Sequence, residues 1–183
     1  YLKPAVELLA GIPSVIYGFF GLVVIVPFIR DNFGGTGSSM LTASLLLGMM
    51  ILPTLISVAE AALRAVPDSY YEGALALGAG HVRSVFFTVV PAAKSGIMAA
   101  IILGVGRAIG ETMAVIMVAG NQARMPQGLL EGVRTMTTNI VIEMGYAADL
   151  HRDALIATAV VLFIFIMLIN LTFSYLKGKV VQQ

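Results

Sequence analysis

The chain has 183 residues, of which 58% are hydrophobic and only 11% are charged, and its mean hydropathy is +0.94. Soluble domains average about 45–50% apolar and about 25% charged residues, so the composition excludes a solvated domain and a disordered chain and indicates an integral membrane protein. The net charge of +1 argues against a nucleic-acid-binding surface, and the absence of cysteine excludes disulfides and thiolate chemistry.

Four apolar stretches are long enough to cross the roughly 30 Å core of a bilayer as helices. We predict these spans at about 4–29, 40–65, 95–119 and 153–176. Pro13 and Pro53 lie inside the first two spans, where neighbouring membrane helices can satisfy the backbone groups that a proline frees. Tyr1 lies close to the first span, so we expect an N-terminally truncated chain with further helices upstream.

The segment 67–94, between the second and third spans, is too polar and too interrupted to cross a membrane. Ser69 and Glu72 have the spacing of a capping box, which predicts a short helix that ends at Gly78. A second short helix is predicted from about 80 to 89, before Pro91. The pair either rests on lipid headgroups or inserts apolar side chains into a groove of a partner protein. The side chains predicted to be exposed are Tyr71, Leu75, Phe86 and Phe87.

The third span carries two charges, Arg107 near its centre and Glu111 four residues later. Each charge costs about 2.5–3.5 kcal/mol at the centre of a bilayer, and such residues usually face a bundle interior or a water-filled path. The spacing places both side chains on one helix face, within reach of each other. They form either an internal ion pair or a site for a charged substrate, because an arginine fork matches phosphate oxygens.

Small residues surround this pair. Gly104, Gly106 and Gly110 form a stripe of the kind that lets membrane helices approach closely, so we predict that they pack against another helix. The run is not a dinucleotide-binding fingerprint, because its spacing differs and no strand precedes it.

The segment 120–152 separates the third and fourth spans and has apolar residues at helical spacing between Leu129 and Met144. This pattern predicts an amphipathic helix at the outer surface. Such a helix either covers the bundle or takes part in gating and in receiving a binding protein. Asn121, Gln122 and Arg124 are candidates for an entry at the outer mouth of the third span.

Lysine and arginine counts in the loops give the orientation. With four spans, six of these residues lie with both termini and the segment 67–94, and four lie on the opposite side. The excess predicts that the termini and the segment 67–94 are cytoplasmic.

The segment 67–94 resembles the cytoplasmic motif of ABC importer permeases, E-A-A-x3-G-x9-I-x-L-P. The matching residues are Glu72, Gly73, Ala74, Gly78, Thr88, Val90 and Pro91, with Gly73, Thr88 and Val90 departing from the family pattern. The resemblance implies that this segment, here named the coupling loop, docks on an ATPase. The residues implied in that docking are Glu72, Gly73, Ala74, Gly78 and Pro91.

The stretches 12–18 and 104–115 narrow the resemblance, which covers the whole chain, to the C-type permease subunit of the bacterial phosphate-specific ABC importer. This family implies an all-α, type I ABC importer permease fold, a single permease domain over 1–183, and six spans of which these four are the last. It also implies a substrate path through Arg107, Glu111 and Thr112.

The resemblance further implies a multi-pass subunit of the bacterial inner (cytoplasmic) membrane, in a heterodimer with a second permease subunit. Two ATPase subunits, which bind ATP and Mg, and an extracytoplasmic phosphate-binding protein would complete the importer. We expect no cofactor in this chain and no nucleic-acid partner. No P-loop motif is present, so we expect a transport subunit without its own ATPase site.

Other functions remain open at this point. A permease of the same fold could carry molybdate or sulfate, and a secondary transporter could use the Arg107–Glu111 pair. We expect no metal site, because His81 and His151 lie 70 positions apart.

Overall fold

The computed structural model describes the backbone of residues 2–181, and the side chains of residue 4 and residues 6–175. Within these residues the chain is helical, with an isolated bridge between Gly120 and Val133 and no strand. The all-α fold predicted from the sequence is therefore confirmed. The helices are α1 (Leu2–Ala10), α2 (Ser14–Phe33), α3 (Met40–Arg64), α4 (Asp68–Ala76), α5 (His81–Ala92), α6 (Lys94–Gly110), α7 (Met113–Val118), α8 (Met136–Met144) and α9 (Asp149–Val181).

Among the described residues, three helices are each long and apolar enough to cross a membrane: α2, α3 and α9. Helices α5 and α6 meet the same test only together, and they are bent by 67° relative to each other at Ala93. The second predicted span, 40–65, coincides with α3. The fourth predicted span, 153–176, lies within α9, which is longer and extends over Asp149–Val181.

The first predicted span, 4–29, is wrong as one continuous helix. Pro13 has an extended ψ of 142°, so the helix that contains Glu7 ends at Ala10 and a new helix begins at Ser14. Helix α2 then continues to Phe33 through a five-residue π-helical stretch, Gly21–Ile25. The helix long enough to cross a membrane is thereby Ser14–Phe33, which begins and ends later in the chain than the predicted span.

Helix α3 begins with a side-chain cap. Ser39 accepts a hydrogen bond from the amide of Thr42 at 3.3 Å, which satisfies one of the amides that lack an intrahelical partner. The segment after the third span satisfies further amides, since Met40 and Leu41 donate to the carbonyls of Glu131 and Leu129 at 2.9 and 2.8 Å. The outer end of α3 is therefore tied to a segment 90 residues further along the chain.

The buried core lies between α2, α3 and α7. Its members are Ile25, Val26, Ile29, Ala43, Leu46, Met50, Ala114, Val115, Val118 and Ala119. Two glycines allow the helices to approach this closely, because a Cβ on Gly18 would lie 2.9 Å from Ala114 Cα and a Cβ on Gly21 would lie 2.9 Å from Leu46 Cδ2. The sequence analysis did not assign a packing role to either glycine.

The third predicted span, 95–119, is also wrong as one helix. Helix α6 ends at Gly110, and Glu111 has an extended ψ of 129°. The chain resumes as the short helix α7 at Met113. Interrupted helices of this kind occur in membrane proteins where the break is buried in protein or lines a cavity.

The two short helices of the coupling loop form, but their ends differ from the prediction. Helix α4 begins at Asp68 after Pro67, with no side-chain cap, so Ser69 lies inside the helix and the capping box is absent. Pro67 sets this start because its fixed φ suits the residue before a helix. Helix α5 does not stop before Pro91 but continues to Ala92. Its last turn is a short α-helical segment, Val90–Ala92, and proline is tolerated in the first turn of such a segment.

The outer segment contains less helix than predicted. Between Gly120 and Ala148 only Met136–Met144 is helical, and the part from Gly120 to Thr135 is a loop; α9 begins at Asp149. Val133 donates to the carbonyl of Ala119 at 2.9 Å, and Ser39 donates to the carbonyl of Val118 at 3.1 Å. These backbone bonds hold the loop against the outer ends of α3 and α7, in place of the predicted amphipathic helix.

Candidate functional site

Arg107 lines a cavity of about 690 Å³ between α3, α6 and α9. Its guanidinium is half-buried and donates a hydrogen bond from NH1 to Thr54 Oγ1 at 2.9 Å. The remaining lining residues are Ala99, Ile102, Leu103, Gly106, Ile166, Asn170 and Ser174. The cavity therefore has mostly apolar walls and the positive charge of Arg107, an arrangement typical of an ionisable residue that faces a bundle interior or a water-filled path.

The predicted pairing of Arg107 with Glu111 is wrong. The ion pairs formed by the described residues do not include one between these two side chains. The physical reason is the end of α6 at Gly110, since residues four apart share a face only while the helix continues. The carboxylate of Glu111 instead accepts a hydrogen bond from the amide of Ala114 at 3.1 Å, at the start of α7.

Glu111 and Thr112 form the break between α6 and α7 and do not line the Arg107 cavity. Thr112 Oγ1 donates to the carbonyl of Gly110 at 3.3 Å. Thr137 of α8 donates to the carbonyl of Glu111 at 3.3 Å. The three residues predicted to form one substrate path are thus separated. Arg107 lines the cavity, whereas Glu111 and Thr112 form the break between α6 and α7, where the carbonyl of Glu111 contacts α8.

The glycine stripe of α6 is divided in the same way. Gly104 is buried and packs against α3, where a Cβ would lie 3.8 Å from Leu55 Cδ1. A Cβ on Gly106 or Gly110 would meet no described atom within 4 Å. Gly106 and Gly110 therefore do not pack against another described helix of this chain, and Gly106 opens onto the cavity.

The coupling loop turns at Gly78, whose φ of +85° favours glycine over residues with a Cβ. The amide of Gly78 donates to the carbonyl of Leu75 at 2.9 Å, and the amide of Ala79 donates to the carbonyl of Ala74 at 3.1 Å. This pair of bonds is a Schellman motif, which ends α4 as predicted. Glu72, Gly73 and Pro91 are exposed.

Large apolar side chains cover the face of the coupling loop. Leu77 is 91% exposed, Phe87 77% and Phe86 64%, and Val82 is exposed beside them. We name these four residues the coupling surface. The two helices that carry it are held together by a hydrogen bond of 2.6 Å between Tyr71 Oη and His81 Nδ1. Tyr71 is consequently half-buried rather than exposed as predicted.

The outer segment holds a second polar cluster. Arg134 donates to the carbonyl of Asn121 at 2.9 Å and pairs with Glu143 at 2.8 Å. Glu143 also faces His151 at 3.5 Å. A hydrogen bond from Tyr146, together with Arg134, lowers the pKa of Glu143, and the same hydrogen bond raises the pKa of Tyr146.

The predicted outer entry is formed in part. Gln122 and Arg124 line a cavity of about 370 Å³ together with Arg134, whereas Asn121 does not line it. Asn121 instead has a positive φ of 51° and donates to the carbonyl of Ile116 at 2.7 Å.

Three polar residues of the Arg107 cavity were missed from the sequence: Thr54, Asn170 and Ser174. A signal was present on the last span, where Asn170 and Ser174 lie four apart in an otherwise apolar helix and so share one face. Thr54 carries no such signal, because a threonine in a membrane helix commonly bonds to its own backbone.

Comparison with known proteins matched residues 1–182 to the family described as "Binding-protein-dependent transport system inner membrane component". The chain is 40% identical over 181 residues to the "Probable ABC transporter permease protein YqgH" of Bacillus subtilis, an alignment that covers 97% of the chain and 59% of that protein. It is 38% identical over 180 residues to the "Phosphate transport system permease protein PstC" of Xylella fastidiosa strain Temecula1, covering 87% of the chain and 56% of that protein.

A third relative, the PstC of Mesorhizobium japonicum, is 35% identical over 197 residues, covering 96% of the chain and 60% of that protein. The chain therefore spans less than two thirds of the length of these curated relatives. No solved structure matched the chain.

Proposed function

Because the chain belongs to the family of binding-protein-dependent transport system inner membrane components, we propose that it is part of the phosphate-moving permease of an ATP-driven importer. The proposed location is the cytoplasmic membrane of a bacterium. Two of the relatives described above are named as phosphate transport permeases, which supports phosphate as the substrate.

The observation that carries the proposal is the position of Arg107. Its guanidinium lies at the cavity with Thr54 as its described hydrogen-bond partner and without an ion pair to a described carboxylate. A guanidinium presents five N–H donors, and a phosphate ion accepts two of them side by side. Arg107 is therefore proposed to meet the anion as it crosses the membrane.

The alternative of a secondary transporter depended on an Arg107–Glu111 pair, and that pair is not formed. The oxyanions molybdate and sulfate have no observation in their favour.

The proposed partners are a second permease subunit, two ATPase subunits and an extracytoplasmic phosphate-binding protein. ATP and Mg would be bound by the ATPase subunits, and no cofactor is proposed for this chain. The coupling surface supports an ATPase contact, because its exposed apolar side chains would be buried by a docking partner. Gly110 has open space beside it and lines no described cavity, so it is proposed to pack against the second permease subunit, whereas Gly106 opens onto the Arg107 cavity.

The substrate proposal is tested by uptake of radiolabelled phosphate in cells that lack other phosphate importers and express the full permease with its partner subunits. Arg107→Gln is expected to lower uptake at least tenfold, because a charge-assisted bidentate contact is lost. The matched control is Arg30→Gln, which removes an exposed arginine that pairs with Asp31 at 3.0 Å and should leave uptake unchanged. Unchanged uptake by Arg107→Gln would overturn the role of Arg107.

The coupling proposal is tested by Gly78→Trp in the same cells. The substitution forces a bulky residue into a φ of +85° at the turn of the coupling loop. We expect the permease to insert normally, as judged by the amount in membranes, while phosphate uptake and phosphate-stimulated ATP hydrolysis are lost. Normal uptake by this variant would contradict docking through the coupling loop.

A further inference from the structure

We propose that Asn170 and Ser174 of α9 donate hydrogen bonds to the phosphate ion as it moves on from Arg107. This inference rests on the proposed function and adds specific residues on a different helix to the substrate path. It begins with the lining of the Arg107 cavity, to which α9 contributes Ile166, Asn170 and Ser174.

The three α9 residues are four apart and therefore share one helix face. Helix α9 packs against α6, whose lining residues Leu103, Gly106 and Arg107 likewise share a face. Gly106 keeps the space between the two helices open, since a Cβ there would touch nothing within 4 Å. The two faces thus line one open cavity, onto which both the arginine and the polar side chains of α9 face.

The polar side chains of α9 fall into two classes. Thr158 and Thr172 donate to carbonyls four residues earlier, those of Ala154 and Leu168, at 2.9 and 2.8 Å. The side chains of Asn170 and Ser174 make no hydrogen bond to any residue that the structure describes. Both residues are exposed at the edge of the cavity, so their side-chain donors are open to an ion that enters it.

The charge of the cavity indicates the nature of that partner. Arg107 is the charged residue among the lining residues, and none of them is a carboxylate. The described carboxylate nearest in sequence, that of Glu111, accepts from the amide of Ala114 outside the cavity. An amide supplies two N–H donors and a hydroxyl supplies one, and a phosphate ion is rich in acceptors. A tetrahedral oxyanion is therefore an acceptor suited both to the arginine and, further along, to the unused donors of α9.

The order of Arg107, Asn170 and Ser174 along the cavity suits release of the phosphate ion to the cytoplasmic side. Asn170 and Ser174 are separated by about 6 Å along the helix axis, given a rise of 1.5 Å per residue. In the proposed orientation α9 runs from the outer segment to the cytoplasmic side, so Ser174 is the deeper of the two. Neutral donors hold an anion less strongly than a guanidinium does, and conduction requires sites that are weak enough to leave.

The test measures the rate of radiolabelled phosphate uptake against phosphate concentration, per assembled complex, in cells whose phosphate importer contains the full permease. Asn170→Leu is expected to lower the maximal rate about tenfold, because a hydrogen bond to a charged partner is lost. Ser174→Ala is expected to lower it about threefold. The matched control is Thr172→Val, which removes a hydroxyl of the same helix that bonds to its own backbone, and it should stay within about twofold of the wild type.

Asn170→Asp keeps the size of the side chain and replaces a donor by a carboxylate. It should lower uptake more than Asn170→Leu, because like charges repel the anion, whereas Asn170→Gln should restore part of the rate. A residue that only packs would show the loss for Asp in the amount of assembled complex, with the rate per complex unchanged.

Several results would overturn the inference. If the wild type takes up phosphate and Asn170→Leu matches Thr172→Val, Asn170 lies outside the path while the proposed function stands. If Asn170→Leu reduces recovery of the second permease subunit and leaves the rate per complex unchanged, Asn170 belongs to an interface between subunits. If the wild-type importer carries no phosphate, the proposed function fails and this inference fails with it.

Discussion

The outer half of the molecule and the coupling loop differ in how their apolar side chains are used. In the outer half, Ile29, Leu46 and Val118 are at most 1% exposed and form one core between α2, α3 and α7. In the coupling loop, helix α4 has no buried residue, and the coupling surface is largely exposed. Helices α2 and α3 therefore bury one apolar face in a core and leave others exposed, such as Phe28 and Phe33, whereas α4 buries no residue at all.

This difference separates stability from assembly. Burial of apolar side chains stabilises the fold, and a fully buried leucine contributes about 1.5–3 kcal/mol. Exposed apolar side chains contribute little to folding but mark a surface on which another protein docks. Substitutions in the outer half should therefore change the free energy of unfolding, and substitutions in the coupling surface should change binding of the partner.

The largest effect is expected in the outer core. Leu46→Ala should lower the free energy of unfolding by about 2–5 kcal/mol, because it removes a fully buried side chain and leaves a cavity. Denaturant unfolding in mixed micelles measures this change. Leu45→Ala is the matched control, because Leu45 is 46% exposed on the adjacent helix face and should cost far less. Equal losses for both variants would show that the buried core is not the source of stability.

A smaller difference in the free energy of unfolding is expected between alanine variants of two glycines in the loop before α3. Gly34 and Gly37 have similar φ values of +81° and +77°, so alanine strains the backbone equally at both. At Gly34 the new Cβ meets open space, whereas at Gly37 it collides with the carbonyl oxygen of Val26 and lies 2.9 Å from Arg30 Cβ. Gly37→Ala should therefore cost about 1–3 kcal/mol more than Gly34→Ala in the same unfolding assay. Identical costs would mean that only the φ value matters at these positions.

The coupling surface should respond in the opposite way. Phe87→Ala is expected to change the free energy of unfolding by less than about 0.5 kcal/mol, because the side chain is 77% exposed. The same variant should reduce copurification of the ATPase subunits with the full permease. The control is Phe163→Ala. Phe163 is an exposed phenylalanine of α9, far from the coupling loop in sequence, and its substitution should leave copurification intact. Loss of stability without loss of the ATPase would reverse the contrast between the two regions.

The smallest effect concerns pH at the outer segment. Hydrogen bonding from Tyr146 lowers the pKa of Glu143, so this carboxylate stabilises the folded state above its unfolded pKa, and the contribution is lost as the pH falls through the folded pKa. The raised pKa of Tyr146 means that its contribution persists below its unfolded pKa and is lost as the pH rises through the folded value. The protection of the α8 amides relative to their intrinsic exchange rates should thus be flat near neutral pH and fall in acid.

Glu143→Gln is the control for this prediction. It removes the titrating carboxylate, so the acid-dependent part of the exchange should disappear in α8 and remain elsewhere. An unchanged acid profile would assign the pH dependence to other groups.

The sequence predicted the helices well and their interruptions poorly. Hydropathy located α3 almost to the residue, because a long apolar run determines a membrane helix by itself. Hydropathy wrongly predicted that the first and third spans continue past Pro13 and Glu111. Membrane helices tolerate proline and charges, so composition alone does not show where the backbone leaves the helix. The errors in both spans are therefore of one kind.

The candidate site shows the same limit. Arg107 was identified because a charge within an apolar span is rare and usually functional. Its partners were misassigned, since the pairing with Glu111 assumed an unbroken helix, and the bond to Thr54 joins residues 53 positions apart. Gly78 was predicted correctly because its turn depends on local backbone conformation. Contacts between distant segments require the tertiary structure.

The end of α6 at Gly110 has a consequence for the strength of the Arg107 site. The C-terminus of a helix carries about half a negative charge from its unpaired carbonyls, and Arg107 lies in the last turn of α6. This negative pole offsets part of the cost of holding a cation inside the predicted span. It also lowers the positive potential that Arg107 presents to the cavity. A helix that continued to 119 would move this pole away from Arg107, so the interruption weakens the field of the guanidinium through the helix macrodipole.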